Sequence, residues 1–263
     1  GAVNVKTSGD ESIALYNKGT VNLLNGGIYT ATGDKSNIIY NTGGTTNIKG
    51  ANTYEVGTNG VGFYVNGGKL TLDSNGGTSN IKVGSGSVLS SIETANGIEF
   101  KNGTFNVNLD ADAIGFIYKG TGSGTVTASS ISTYLNSYYT GLNNLYFTLN
   151  PTARLFVVEN YGTISLQDVQ SLAASGSVVN IASGSTGKDA FLWKGALTVD
   201  NSYGTINLDN TSNALNNVER SAVGVSLDLG VTLTGTQANQ IALADIDIYN
   251  GNYVNMNNLG TIS

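Results

Sequence analysis

The chain has no cysteine and no histidine in 263 residues. Without cysteine there is no disulfide framework, no CxxC redox pair and no Cys-ligated zinc. Without histidine, no Ser/His/Asp or Cys/His nucleophile system can be built. Proline occurs once, and charged residues make up 11% of the chain, under half of the average of about 25%. The net charge is -6, and the 12 Lys and Arg are scattered. Only Arg154 and Arg220 offer a bidentate fork, which argues against a nucleic-acid partner. No apolar run approaches the roughly 20 residues of a membrane span, and the opening residues lack a signal-peptide pattern. The closing residues NNLGTIS (257–263) stop inside a repeat, so we expect a fragment of a longer protein.

What is abundant is glycine, 36 residues, and tyrosine, 14. Glycine at that level, with 40% hydrophobic residues and almost no proline, suits a folded chain with many tight turns and little helix. The stretch SIALYNKGTVNLLNGGIYT begins at residue 12, and related stretches SNIIYNTGGTTNI and GVGFYVNGGKLTL begin at 36 and 60. Each has an apolar run ending near an aromatic, a polar turn closed by Gly, and a β-type stretch. The Gly-led triplets GTVNL (19), GTTNI (44), GKLTL (68), GTFNV (103), GTVTA (124), GTISL (162), GALTV (195), GTINL (204) and GTIS (260) form one series. Their apolar residues sit two apart with Thr or Asn between, the pattern of a strand with one buried face. A box precedes many of them: IALY (13–16), NIIY (37–40), VGFYV (61–65), IGFIY (114–118), RLFVV (154–158), AFLW (190–193) and AVGVSL (222–227). A third short strand follows in the first copies: GIYTA (27–31), TYEV (53–56) and NIKV (80–83).

Three strands in about 24 residues make one coil of a parallel β-helix. One coil cannot bury its own apolar face, whereas stacked coils share a continuous core at about 4.8 Å per coil. The expected fold is all-β: a single right-handed parallel β-helix domain over residues 1–263, with short helical or loop insertions. Asn at the turns tolerates left-handed backbone and can ladder with an Asn above it.

The spacing is regular to about Val83 and irregular afterwards. The clearest break is 129–151, where Ile131, Leu135, Tyr138 and Leu142 follow helical spacing. Ser129 or Ser130 is a candidate cap and Gly141 a candidate end. We expect a short amphipathic helix protruding from the rod. Weaker helical candidates are 165–176, 211–220 and 236–246. Solenoids place function in such insertions, so Tyr134, Tyr138, Tyr139 and Tyr146 are candidate ligand contacts. Asn136, Asn143 and Asn144 are candidate hydrogen-bonding neighbours. The alternative is that these aromatics fold back to cover the rod.

Other chemistries leave weaker marks. Asp110 and Asp112 are two apart, as are Asp245 and Asp247. Each pair shares a face if its segment is a strand, as paired catalytic carboxylates or half of an oxygen-ligand site require. Calcium-loop motifs are missing. Ice binding needs outward Thr repeated in successive coils; TVT (125–127) and TLT (232–234) occur without an evident run between them. Neither catalysis nor a cofactor or metal is expected.

The copies SIALYNKGTVNL, GVGFYVNGGKLTL and IGFIYKGTGSGTVT, with ENYGTISL (159–166) and DNSYGTINLDN (200–210), resemble the passenger of a type Va autotransporter. More narrowly, they are similar to the very large surface adhesins of oral anaerobic Gram-negative bacteria. That resemblance implies display on the bacterial outer surface, anchored by a C-terminal translocator barrel outside this stretch. It implies adhesion to a partner bacterium, a host glycan of the galactose or GalNAc type, or a host cell-surface protein. It carries over no individual binding residue. The alternatives are a stalk or cap segment with no ligand of its own, and a polysaccharide-acting β-helix enzyme.

Overall fold

The computed structural model describes residues 1–120 and 124–159, and the backbone of 163–165, 180–181, 191–194, 197–200, 225–227, 231–233 and 246–248. Side chains are described through Val157, except those of Val126 and Ala128. In chain order the first strands are β1 (Val3–Thr7), β2 (Ile13–Asn17), β3 (Thr20–Leu23), β4 (Gly27–Ala31), β5 (Asn37–Lys49), β6 (Asn52–Val56), β7 (Val61–Asp73) and β8 (Thr78–Val83). Next come β9 (Val88–Ile92), β10 (Ile98–Lys101), β11 (Thr104–Leu109), β12 (Ile114–Lys119), β13 (Thr125–Val126), helix α1 (Ala128–Tyr138), β14 (Tyr139–Thr140), a 3-10 turn (Leu142–Asn144), β15 (Leu145–Leu149) and β16 (Arg154–Glu159). Beyond them lie β17 (Thr163–Ser165), β18 (Asn180–Ile181), β19 (Phe191–Lys194), β20 (Leu197–Asp200), β21 (Val225–Leu227), β22 (Val231–Leu233) and β23 (Ile246–Ile248).

Every pairing among these strands is parallel. The fold is therefore a parallel β-helix. One face is the ladder β1-β4-β6-β8-β11-β15-β18, and it holds the third strands anticipated from the sequence. A second face holds the boxes: β2 beside β5, then β7, β9, β12, β16, β19, β21 and β23. The Gly-led triplets form a third face, in which β3 pairs with β5 and β7 with β10. In the second and third coils, box and triplet are not separate strands. They merge into β5 and β7, 13 residues each, bent by register shifts at Asn41, Thr42 and Thr45.

The 24-residue period is visible in the pairing itself, with Tyr16 beside Tyr40 and Tyr40 beside Tyr64. The step lengthens where Phe63 faces Ser90, and again where Phe116 faces Phe156. That last, longest step contains α1.

One triplet belongs elsewhere than its pattern suggests. GTFNV (103–107) lies in β11, on the face of the third strands, between β8 and β15. Its place beside β7 is taken by IEFK of β10. Both faces demand the same alternation, so the triplet alone cannot distinguish them.

The core is filled by alternation. Tyr29, Tyr54, Phe63, Phe100, Phe105, Phe116 and Phe147 are fully buried, each contributing about 1.5–3 kcal/mol by leaving water. Most inward columns stack large on large, as Tyr29 on Tyr54 and Ile48 on Leu72, but in one a glycine separates two large residues: Ile38, Gly62 and Leu89 are consecutive, with both large side chains buried. A Cβ on Gly62 would lie 2.6 Å from the Leu89 carbonyl oxygen, so this close approach requires glycine. Polar turns are stitched too. Asn59, Asn75, Asn96 and Asn102 adopt positive φ, as their side chains tolerate. Within the rod, Asn17 Nδ2 donates to Asn41 Oδ1 at 2.9 Å, Thr46 Oγ1 donates to the same oxygen at 2.8 Å, and Asn41 Nδ2 donates to the Gly67 carbonyl. No described helix is long and apolar enough to cross a membrane.

Replacing Asn41 should therefore cost more than removing a surface amide. Asn41→Ala strands the buried Thr46 hydroxyl donor, while Asn17 Nδ2 keeps the Gly19 carbonyl and Thr46 Oγ1 as acceptors, and a loss of about 1–3 kcal/mol is expected in chemical denaturation. Asn47→Ala, at an exposed ladder position (Asn47 Nδ2 to Asn22 Oδ1 at 2.8 Å), should cost under about 1 kcal/mol.

Candidate functional site

The break in the repeat is built into the rod. Thr127 caps α1: its hydroxyl accepts from the Ser130 amide at 3.0 Å, and Ser130 Oγ accepts from the Thr127 amide at 2.7 Å. The cap falls on Thr127 rather than on Ser129 or Ser130, because this reciprocal pair needs a three-residue spacing. The helix ends before Tyr139, and Gly141, with φ of +78°, opens the following 3-10 turn. Ile131 and Leu135 are buried in the main core.

Residues 139–149 are not a loop. Tyr139–Thr140 pair with β10, and β15 takes its place in the first face beside β11. The expectation of an insertion protruding over 129–151 is corrected accordingly: the helix is folded against the rod, and its sequel is part of the rod. The break also divides the third face. β14 closes onto β10, while β13 opens a separate sheet with β17, β20 and β22. In that sheet Thr125, Thr163, Thr198 and Thr232 share one register column. One threonine column thus joins TVT to TLT, but the neighbouring column passes through Ser165 and Asp200, so successive coils do not repeat the paired pattern, in line with the sequence.

The structure separates the predicted contact residues. Tyr139 is 6% exposed, and its hydroxyl lies 2.7 Å from Ser90 Oγ, with an edge contact to Phe116 at 5.1 Å. It packs in the core and, with Ser90, forms part of the lining of a groove that Tyr134 also borders. Ser90 sits on the rung between Phe63 and Phe116, and its small side chain makes room for the phenol. Tyr138 is half-buried against the core. Tyr134 is half-buried with its ring 4.6 Å from Tyr118 and 4.8 Å from Tyr138, and its hydroxyl donates to the Ile117 carbonyl at 3.3 Å. Asn136 is exposed on α1 and reaches Ser132. Asn143 is exposed in the 3-10 turn. Asn144 is occupied, donating to the Phe100 carbonyl at 2.9 Å. Tyr146 is 41% exposed on β15, on the face opposite in register to Asn106 rather than beside the helix. Of the six, Tyr134 and Tyr139 border one common groove, and the others lie apart from it.

What Tyr134 does border is a groove that the sequence pattern did not reveal. On the box strands, Tyr16, Tyr40 and Tyr64 stack outward, with ring centres 5.7 and 4.5 Å apart. The next rung carries Ser91 in place of a ring. The missing ring leaves a groove of about 350 Å³. Its walls include Ile92, Ile117 and Val88, its polar groups are Ser91, Glu93 and Lys119, and Tyr134 closes one side. Tyr64 Oη donates to Glu93 Oε1 at 2.9 Å. Desolvation, and then the bond to Glu93, hold the Tyr64 phenol above its ordinary range, so it stays a donor. An aromatic strip thus runs into a mixed polar and apolar groove, a surface that can take up a ligand.

Other candidates resolve differently. Asp110 and Asp112 lie in a turn, with Asp112 at φ of +59°, so they share no strand face. Asp110 instead accepts from Asn108 and Asn150. No group of three or more metal-ligating side chains occurs among the described residues. Arg154 is 7% exposed, so its guanidinium is not a surface contact. Arg220, Asp245 and the helical candidates 165–176, 211–220 and 236–246 lie outside the described residues or their side chains. Comparison with family models, curated proteins and solved structures finds no match to this chain.

Two predictions follow from the buried phenols. Tyr139→Ala should cost about 3–5 kcal/mol through the cavity it leaves, whereas Tyr139→Phe should cost only about 1 kcal/mol; thermal unfolding of the two variants checks this. Burial also raises the phenols of Tyr54, Tyr134 and Tyr139. A raised phenol stabilises the fold fully below its unfolded value near 10, and that stability is lost as pH rises toward the folded value. Absorbance titration of phenolate should show these tyrosines ionising together with unfolding above about pH 10, not before it.

Proposed function

We propose that this chain is a segment of a bacterial cell-surface adhesin, part of an autotransporter passenger displayed outside the outer membrane. The rod supplies reach and the break in its repeat supplies the contact surface. One observation carries the reading: where the Tyr16, Tyr40 and Tyr64 strip ends, α1 and Ser91 leave an open groove lined by Glu93, Lys119 and Tyr134. A stalk has no need of that irregularity, because even coils with short turns stack better. Exposed tyrosine strips beside polar groups are favourable contact surfaces, since the rings offer rigid, amphipathic area. The partner on this reading is a receptor on a host cell or a neighbouring bacterium, either protein or glycan. The reading calls for no catalysis and no cofactor.

The labelled chain should bind at least one of three surfaces: epithelial cells, lymphocytes or partner bacteria. Ser91→Arg fills the groove from an outward position and should lower that binding by about tenfold or more, with the melting temperature unchanged. Binding to none of the three would favour the stalk. Binding unaffected by Ser91→Arg would place the contact elsewhere.

A further inference from the structure

The outer side of the first face carries a second, different surface. Strand alternation there is strict. In β6, β8, β11 and β15 the residues Tyr54, Ile81, Val107 and Phe147 are buried, and their neighbours point outward. Two outward columns result, in cross-strand register. One runs Thr53, Asn80, Asn106, Tyr146, and the other Glu55, Lys82, Asn108, Thr148. Between them lies a shallow groove of about 230 Å³. No described element packs over it.

Three properties narrow what this face can hold. The lysine lining the groove is paired: Lys82 Nζ lies 3.1 Å from Glu55 and 3.9 Å from Asp110, and Lys6, the other described lysine of this face, stands two rungs beyond Glu55, so the groove itself is poorly suited to an anionic ligand. Its centre is a plane of amides. Asn106 Nδ2 donates to Asn80 Oδ1 at 3.3 Å, and Asn150 Nδ2 donates to Asn108 Oδ1 at 3.1 Å. This leaves the Asn80 amino group and the Asn106 carbonyl oxygen without partners among the described residues. Amides offering both donor and acceptor in one plane match vicinal hydroxyls, which are donor and acceptor in turn. Finally, the last described side chain of the column is Tyr146, the one strongly exposed ring among the described residues of this face, with Asn180 in register on the next rung. Unlike Tyr40, which is sandwiched between two rings, Tyr146 has Asn106 as its neighbour on the preceding rung.

We infer that this face is a binding site for a neutral oligosaccharide lying along the rod axis, with a pyranose ring packed on Tyr146 and hydroxyls held by Asn106, Asn80 and Asn108. Coils repeat at about 4.8 Å, so a chain of sugars along the axis meets a fresh pair of outward side chains at each coil. The groove is open and shallow. Affinity for one oligosaccharide is accordingly weak, in the millimolar range, and useful binding comes from many copies on one surface. This site stands apart from the groove beside α1 and does not rest on it.

The test is a titration of the ¹⁵N-labelled 263-residue chain, following the side-chain NH₂ signals of Asn80, Asn106 and Asn108. The probes are lacto-N-tetraose and chitotetraose at millimolar concentration, with a heparin tetrasaccharide as the anionic control. At least one neutral probe should produce saturable shifts. Tyr146→Ala and Asn106→Ala, both outward and exposed, should each weaken binding by about tenfold or more with unchanged melting temperature. Ser91→Arg, in the other groove, should leave it intact. The inference is overturned if neither neutral probe shifts these amides, if heparin alone does, or if Tyr146→Ala binds as well as the parent chain. Loss of cell binding in Ser91→Arg alongside intact sugar binding would separate the two surfaces.

Discussion

A coil of this protein has nowhere to hide its apolar face except against the next coil. Every other feature is subordinate to that. Parallel pairing puts like positions on top of one another, so each inward column must fill a continuous channel with described side chains from residues 24 to 41 apart. At one column Gly62, between Ile38 and Leu89, answers that demand, because a Cβ there would meet the Leu89 carbonyl. The Asn17–Asn41–Thr46 cluster answers it for polar groups. A buried amide is tolerated when a neighbouring rung supplies its partner.

The same demand decides what the break in the repeat becomes. An insertion with an apolar face, placed next to an open rung, is drawn into the core. Ile131 and Leu135 anchor α1, and Tyr139 fills the space beside Ser90. The tyrosines that look most available in the sequence are therefore the ones the rod uses. What remains for a partner is the space left over. One such space is the groove where Ser91 interrupts the Tyr16–Tyr40–Tyr64 strip. Another is the flat outward plane of Asn80, Asn106 and Tyr146. The two differ in chemistry. The first is partly apolar and carries Glu93 and Lys119. The second is amide-rich with its lysine paired.

The fold was legible in the residues because a stacked coil writes its period into the chain. The 24-residue return of the boxes corresponds one to one with the pairing of Tyr16, Tyr40 and Tyr64, and GIYTA, TYEV and NIKV take the third strand as read. Three things were not legible. GTFNV was assigned to the wrong face, since both faces ask for the same alternation and the sequence carries no label for a face. The cap at Thr127 was misplaced because serine, threonine and asparagine crowd that segment, and only the reciprocal bond with Ser130 distinguishes one of them. The threonine column through residues 125, 163, 198 and 232 was missed because its spacing is uneven.

By itself the sequence determined the class of architecture, the absence of histidine and cysteine chemistry, and the positions of most strands and turns. These depend on local alternation and on glycine and asparagine, which act within a few residues. Tertiary structure alone decided which aromatic side chains are buried and which face solvent. Tyr139 and Tyr146 lie seven residues apart, yet one bonds to Ser90 in the core and the other stands on an open face. That difference depends on the neighbour stacked above or below, at a distance along the chain that no local pattern encodes.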